Sequence, residues 1–292
     1  MVKRLLNRSE EVTFEALSRV CQAHGARVSA KVRVADIFPL EGSGISADHF
    51  SYALKSHFDF VITNNDHQPL FSVEFDGPLH DLSQKQKDRD RLKSDLCSHF
   101  EYSLLRINSR YLSGEYRGLD LLTYFIEAWF LAEAFDEAQQ AGMIPDDEPF
   151  DVTMVVSARS DGDRLWPYWL SRDIQGLIFK LHGRGLIATP GASAYVGLDD
   201  QGNYRCLSWV EFDDQSVAVA QTGMRSQLFR GVVEADLIRM LAMFELQQVI
   251  EQGLQGNREL LVDRDQFFVE TLPLYRRSYE LRAATSWTAP KR

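Results

Sequence analysis

Phe58-Asp59-Phe60-Val61-Ile62-Thr63 and Leu70-Phe71-Ser72-Val73-Glu74-Phe75 are two apolar runs, each carrying one acid, joined by Asn64-Asn65-Asp66-His67-Gln68-Pro69. Both runs are rich in aromatic and β-branched residues, and the joining segment has turn chemistry. A β-hairpin is therefore expected. Residues two apart on a strand point to the same face, so Glu74 and the following Asp76 project together from the end of the second run. Hairpin pairing brings the strand of Asp59 alongside. The three carboxylates are then expected to share one small region, where their repulsion raises at least one carboxyl pKa unless a cation is bound. Hard oxygen ligands of this kind suit magnesium or manganese.

Working outward, Asn7 is a candidate N-cap with Glu10 three residues later, and Val12, Leu17, Val20 and Cys21 are spaced to bury one face of a helix ending near Gly25. Arg27 to Val34 alternates as a half-buried strand does, and Pro39 to Gly44 reads as a breaker. Beyond the hairpin, Ser83 to His99 has helical composition, Tyr102 to Ile107 reads as a strand, and Leu119 to Ala141 as a long helix. The acidic, proline-bearing stretch 143–150 is the expected linker between domains 1–142 and 151–292. In the second half, a strand is expected over Asp151 to Ala158 and an aromatic-rich helix from about Trp166 to His182. Short strands follow around 194–198, 204–212 and 217–221, then a long helix over Glu234 to Gln252 and a weakly patterned tail after Leu260. That half reads as an α+β domain.

The chain of 292 residues is long enough for two domains. It contains no apolar run of membrane-spanning length and no signal-like start, so no membrane association is expected and a cytoplasmic location is. Three widely separated cysteines suggest neither a disulfide framework nor a zinc cluster, and they read as small buried residues. With 32 Lys and Arg against 42 Asp and Glu, the formal charge of -10 argues against a protein that coats nucleic acid. A local basic surface beside an acidic metal site remains compatible with it.

A divalent ion held by Asp59 and Glu74 would polarise a phosphodiester and lower the pKa of a bound water. His80, beyond a Gly-Pro turn, has the chemistry of a general acid or base. Lys85, Lys87, Arg89 and Arg91 on the following helix are candidates for phosphate contact.

Several segments together resemble the PD-(D/E)XK, or restriction-endonuclease-like, superfamily. They are Phe58-Asp59-Phe60-Val61, Val73-Glu74-Phe75-Asp76-Gly77-Pro78-Leu79-His80, Arg89-Asp90-Arg91-Leu92-Lys93 and Leu104-Leu105-Arg106-Ile107. The resemblance is strongest to a branch related to very-short-patch-repair endonucleases, whose core strand reads Glu-x-Asp-Gly-x-x-His. It spans about residues 5 to 110, with Leu5-Leu6 and Lys31 to Ile37 included. It implies an α/β fold, a restriction-endonuclease-like mixed sheet flanked by helices, here followed by the second α+β domain. It also implies Mg²⁺ or Mn²⁺ held by Asp59, Glu74, the backbone carbonyl of Phe75 and Glu10, and a nucleic-acid partner, DNA before RNA. Asp76 stands where the superfamily has its catalytic lysine, so that role is absent, supplied by metal, or taken by another residue such as Lys93 or His80. A catalytically inactive module for nucleic-acid binding or protein docking, with the C-terminal domain engaging a partner, is the alternative.

Each residue also has a structural reading. Asp59 fits a solvated strand edge, Glu74 with Asp76 a polar strand face, and Glu10 a capping box. His80 fits a structural histidine. The charged helix fits a solvated surface with i,i+4 pairs, and Trp166-Pro167-Tyr168-Trp169 fits a core or interface as well as a base-stacking platform.

Overall fold

The computed structural model describes residues 4–77, 84–114, 120–154, 156–158, 164–167 and 170–288. The chain is mixed α/β and divides into two compact units, Met1–Val152 with Gln227–Val232, and Thr153–Ser226 with Val233–Arg292.

The first unit runs α1 (Arg8–Ala23), β1 (Arg27–Arg33), α2 (Ala47–Lys55), β2 (His57–Thr63), β3 (Pro69–Phe75), α3 (Gln84–His99), β4 (Ser103–Ile107) and α4 (Leu121–Gln140). Its sheet has the order β1-β2-β3-β4. The first three strands pair antiparallel and β4 joins β3 in parallel, as a strand reached through a helix can. The expected hairpin is present, with Phe60 opposite Val73 and Ile62 opposite Phe71. Phe58, Phe60, Ile62, Phe71 and Val73 are fully buried. A one-residue slip would set the acids Asp59 and Glu74 in places now filled by these buried side chains, so burial disfavours other registers.

Both faces of the sheet are covered. Val34, Phe58, Val61 and Leu104 pack with Ala53 of α2 and Leu96 of α3, while Phe60 meets Phe14 of α1 and Phe71 meets Trp129 of α4. The nine-residue α2 follows the Pro39 to Gly44 breaker. Ser46 accepts a bond from the His49 N–H, and Asp48 and Lys55 complement the two ends of the helix. At α1 the Asn7 side chain accepts the Glu10 N–H while the Glu10 carboxylate accepts the Asn7 N–H, which completes a capping box. Asn7→Ala is expected to lower the unfolding free energy by about 1 kcal/mol, measurable by urea denaturation.

The outer edge of β4 is closed by the returning segment Gln227–Val232. Leu104 donates its N–H to the Leu228 carbonyl at 2.7 Å. The buried Gln227 amide takes the Arg106 N–H at 2.9 Å and gives its own N–H to the Arg106 carbonyl at 2.9 Å, so a side chain stands in for a strand. Phe229 packs edge-on against Phe71 and Phe125. Gly231 has φ +87°, and a Cβ there would lie 2.4 Å from the Ala128 carbonyl oxygen. Arg230 pairs with Glu133 and Asp136 of α4.

The second unit contains β5 (Val156–Ala158), β6 (Arg164–Pro167), α5 (Arg172–Gly183), β7 (Ser193–Leu198), β8 (Tyr204–Glu211), β9 (Ser216–Met224), α6 (Glu234–Leu254), β10 (Val262–Asp263), α7 (Arg264–Gln266), α8 (Leu272–Ser278) and β11 (Glu280–Thr285). Five strands form an antiparallel sheet ordered β10-β9-β8-β7-β11. Ile174 and Ile178 of α5 and Leu246 and Ile250 of α6 share a core with Val210 and Ala218 of the sheet. Phe267, Leu272 and Tyr275 form another with Tyr195, Leu207 and Trp209.

Three local expectations change here. The Asp151 to Ala158 stretch opens with a 3-10 turn over Val152–Met154 before β5. The aromatic-rich helix starts at Arg172, and Trp166 and Pro167 lie in β6, because a residue before proline favours extended backbone and proline lacks the N–H a helix needs. Tyr168 and Trp169 lie outside the described residues. The tail after Leu260 supplies two strands, short helices and a π-helical turn at Phe267–Thr271. Among the described residues no helix is long and apolar enough to cross a membrane.

Candidate active site

Asp59 and Glu74 meet where the β2–β3 ladder ends. The register that pairs Phe60 with Val73 sets them opposite each other at the next position. There the side chains take over from the ladder. The Asp59 N–H donates to Glu74 Oε1 at 3.0 Å, and the Phe75 N–H donates to Asp59 Oδ2 at 3.0 Å. Each acid thus binds the backbone beside the other, which fixes both carboxylates at one point.

Two lysines neutralise them. Lys31 Nζ lies 2.7 Å from Asp59 Oδ1 and 2.8 Å from Glu10 Oε1, joining β1, β2 and the first turn of α1. Lys31 itself has φ +56°, and the Lys31–Asp59 pair drops out of the ladder between Ala30–Phe60 and Val32–Phe58. Non-glycine residues rarely adopt this backbone region. Lys93 Nζ, from α3, lies 2.6 Å from Glu74 Oε2 and 2.9 Å from the His57 carbonyl, over the Phe58 ring. Both members of this pair are buried.

The electrostatics follow from burial and pairing. Burial pushes the Glu74 carboxyl above its ordinary range, and Asp59 adds to that shift against the pull of Lys93 and Arg106. For Lys31 burial works the other way, and the bonds to Asp59 and Glu10 outweigh it, so the ammonium is held above its usual value. The carboxylates of Glu10, Asp59 and Glu74 outnumber the ammonium groups of Lys31 and Lys93 by one.

Glu10, Asp59, Glu74, Phe75 and Lys93 line a cleft of about 580 Å³ together with Asn7, Arg8, His57 and Gln86. Glu10 fills both roles considered for it, because one carboxylate caps α1 and binds Lys31. Asp76 turns to Arg106 at 3.7 Å, and Arg106 reaches Asp90 at 3.2 Å. Burial opposes the Arg106 charge, yet Asp76, Asp90 and Glu74 hold its pKa above the ordinary value. Lys87, Arg89 and Arg91 are exposed on α3, the helix that sends Lys93 and Gln86 to the cleft. Lys85 belongs to α3, and its side chain is outside the described region, as is His80 entirely.

Lys31 and Arg106 were not among the sequence candidates. Arg106 is the single cation of the apolar strand β4 and lies beside Glu74 in the parallel β3–β4 register, whereas Lys31 shares β1 with Arg27 and Arg33 and is not singled out by the pattern. All three cysteines are buried, and burial pushes each thiol up to about 12, so none is a poised nucleophile.

Among the described residues no three acid, histidine or cysteine side chains stand as a ready-made metal cluster. The donor set is nevertheless all oxygen, it comes from three elements around one cleft, and its partners are positive charges. Those donors suit magnesium or manganese in kind.

Searches among curated proteins and among solved structures found no match. Residues 2–118, a stretch that includes every cleft residue named above, match a family described as a protein of unknown function, DUF2726.

Proposed function

We propose that the first unit is a metal-dependent nuclease that hydrolyses phosphodiester bonds of DNA. The observation that carries this reading is the reciprocal joint of Asp59 and Glu74 at the ends of β2 and β3, with Glu10 reaching the same group through Lys31. Magnesium or manganese, when bound, would activate water and neutralise charge on the phosphate. Asp59, Glu74, Glu10 and the Phe75 carbonyl are the groups to hold it. Lys93 pairs with Glu74 and favours its charged form against burial, and the exposed Lys87, Arg89 and Arg91 of α3 suit phosphate oxygens. DNA as the substrate class rests on the superfamily resemblance of residues 5 to 110.

A second reading has its own support. Each cleft acid already has a lysine partner, and Asp76 in place of the motif lysine is engaged by Arg106. Such a site also suits a catalytically silent module that binds nucleic acid or docks a protein.

The deciding assay incubates the full chain with single-stranded, duplex, nicked and mismatched DNA and with RNA, each with Mg²⁺, Mn²⁺ or chelator. Metal-dependent strand scission is expected. Asp59→Asn, which keeps the shape of the side chain, should reduce the rate by about 100-fold or more. Cleavage by a folded Asp59→Asn protein at the wild-type rate refutes the assignment, and absence of turnover under every condition favours the silent module.

A further inference from the structure

The two ammonium groups at the cleft differ in freedom. Lys93 is buried on both sides of its pair with Glu74, and its Nζ is also tied to the His57 carbonyl. Withdrawing it leaves a buried carboxylate without its ion-pair cation, held among the described residues only by the Asp59 N–H. Lys31 has 31% of its side chain exposed and sits on a flexible four-carbon stem. Both of its partners, Glu10 and Asp59, belong to the proposed metal-binding set.

An ammonium bonded to one oxygen of each of these acids occupies the place from which a small divalent ion would bind the same oxygens, at about 2.0–2.1 Å for magnesium. The two cations therefore compete. Lys31 also has a left-handed backbone that lysine seldom adopts, at the one position where it drops out of the β1–β2 ladder. When the pairs are released, nothing in those contacts keeps the side chain over the acids. Its charge then lies beside the cleft, where an amine is needed and Asp76 cannot provide one.

We infer that Lys31 is a built-in counter-cation of the cleft. It holds Glu10 and Asp59 together in the metal-free protein, yields them to the incoming divalent ion, and then offers its ammonium to the non-bridging phosphate oxygens of the nucleic acid. This inference rests on the nuclease reading and assigns Lys31 the amine role within it.

The test titrates Mn²⁺ calorimetrically, without nucleic acid and at constant pH, into full-length wild type, Lys31→Met and Lys31→Gln. Circular dichroism confirms that each is folded, and the glutamine variant serves if the methionine variant is not. Both variants should bind Mn²⁺ about tenfold tighter than wild type, since the internal competitor is gone. With saturating Mn²⁺ and DNA, both should nevertheless cleave at least about tenfold more slowly. Equal or weaker Mn²⁺ binding in the variants, with normal binding and cleavage by wild type, overturns the counter-cation role and leaves the nuclease reading intact. Tighter binding with undiminished cleavage overturns the phosphate role. Failure of wild type and variants alike to bind Mn²⁺ or cut any strand defeats both proposals together.

Discussion

Lys93→Met is expected to lower the unfolding free energy of the first unit by about 3–5 kcal/mol at neutral pH. The ammonium lies 2.6 Å from Glu74 Oε2 with both side chains nearly inaccessible, at 8% and 10% exposure. Methionine has nearly the same length and keeps the packing over Phe58, so little of the loss comes from volume. What remains is a nearly inaccessible carboxylate without its cation, whose pKa is already raised by burial and would rise further. Chemical denaturation followed by circular dichroism reads the change. The double variant Lys93→Met with Glu74→Gln should regain most of it, because replacing both partners removes the uncompensated charge. A single variant within about 1 kcal/mol of wild type would mean that water reaches the pair and that Lys93 does not hold Glu74 in place.

Loss of the returning segment should be as severe. Phe229→Ala is expected to lower the unfolding free energy by about 3–5 kcal/mol. The ring is 7% exposed and lies edge-on against Phe71 and Phe125, both 0% exposed, so its removal opens a hole against two core rings. The same reasoning applies to a fragment ending at Val152. That fragment keeps the whole sheet but leaves the N–H of Leu104 and of Arg106 without the Leu228 and Gln227 acceptors, and it bares the apolar edge of β4. It is expected to aggregate or to show poor amide protection in hydrogen exchange, and a peptide spanning 226–233 added in excess should restore part of the protection. A fragment as stable as the intact unit would show that the segment merely rests on a finished domain.

Much of the site was legible because its determinants are local. The hairpin announced itself through two apolar runs and a turn, and strand periodicity then made Asp59 and Glu74 neighbours, as observed. Asn7 and Glu10 lie three residues apart, so the capping box could be read from spacing. The lysines could not be matched to their acids in the same way. Lys31 is 28 residues from Asp59 and 21 from Glu10, and its left-handed backbone leaves no signature in a strand pattern. Lys93 could be named as a candidate amine, but its burial against Glu74 depends on how α3 packs on the sheet.

The amino-acid order alone thus determined which segments alternate, where they turn and which acids share a strand end, because those properties arise within a few residues through steric preference and side-chain periodicity. Tertiary structure decided the rest. It chose which cation answers each acid, turned Asp76 toward Arg106, and brought Gln227–Val232 back to the edge of β4. Such pairings join residues far apart in the chain, and burial settles them, since an unmatched charge or a bare strand edge is tolerable in water and costly once water is excluded.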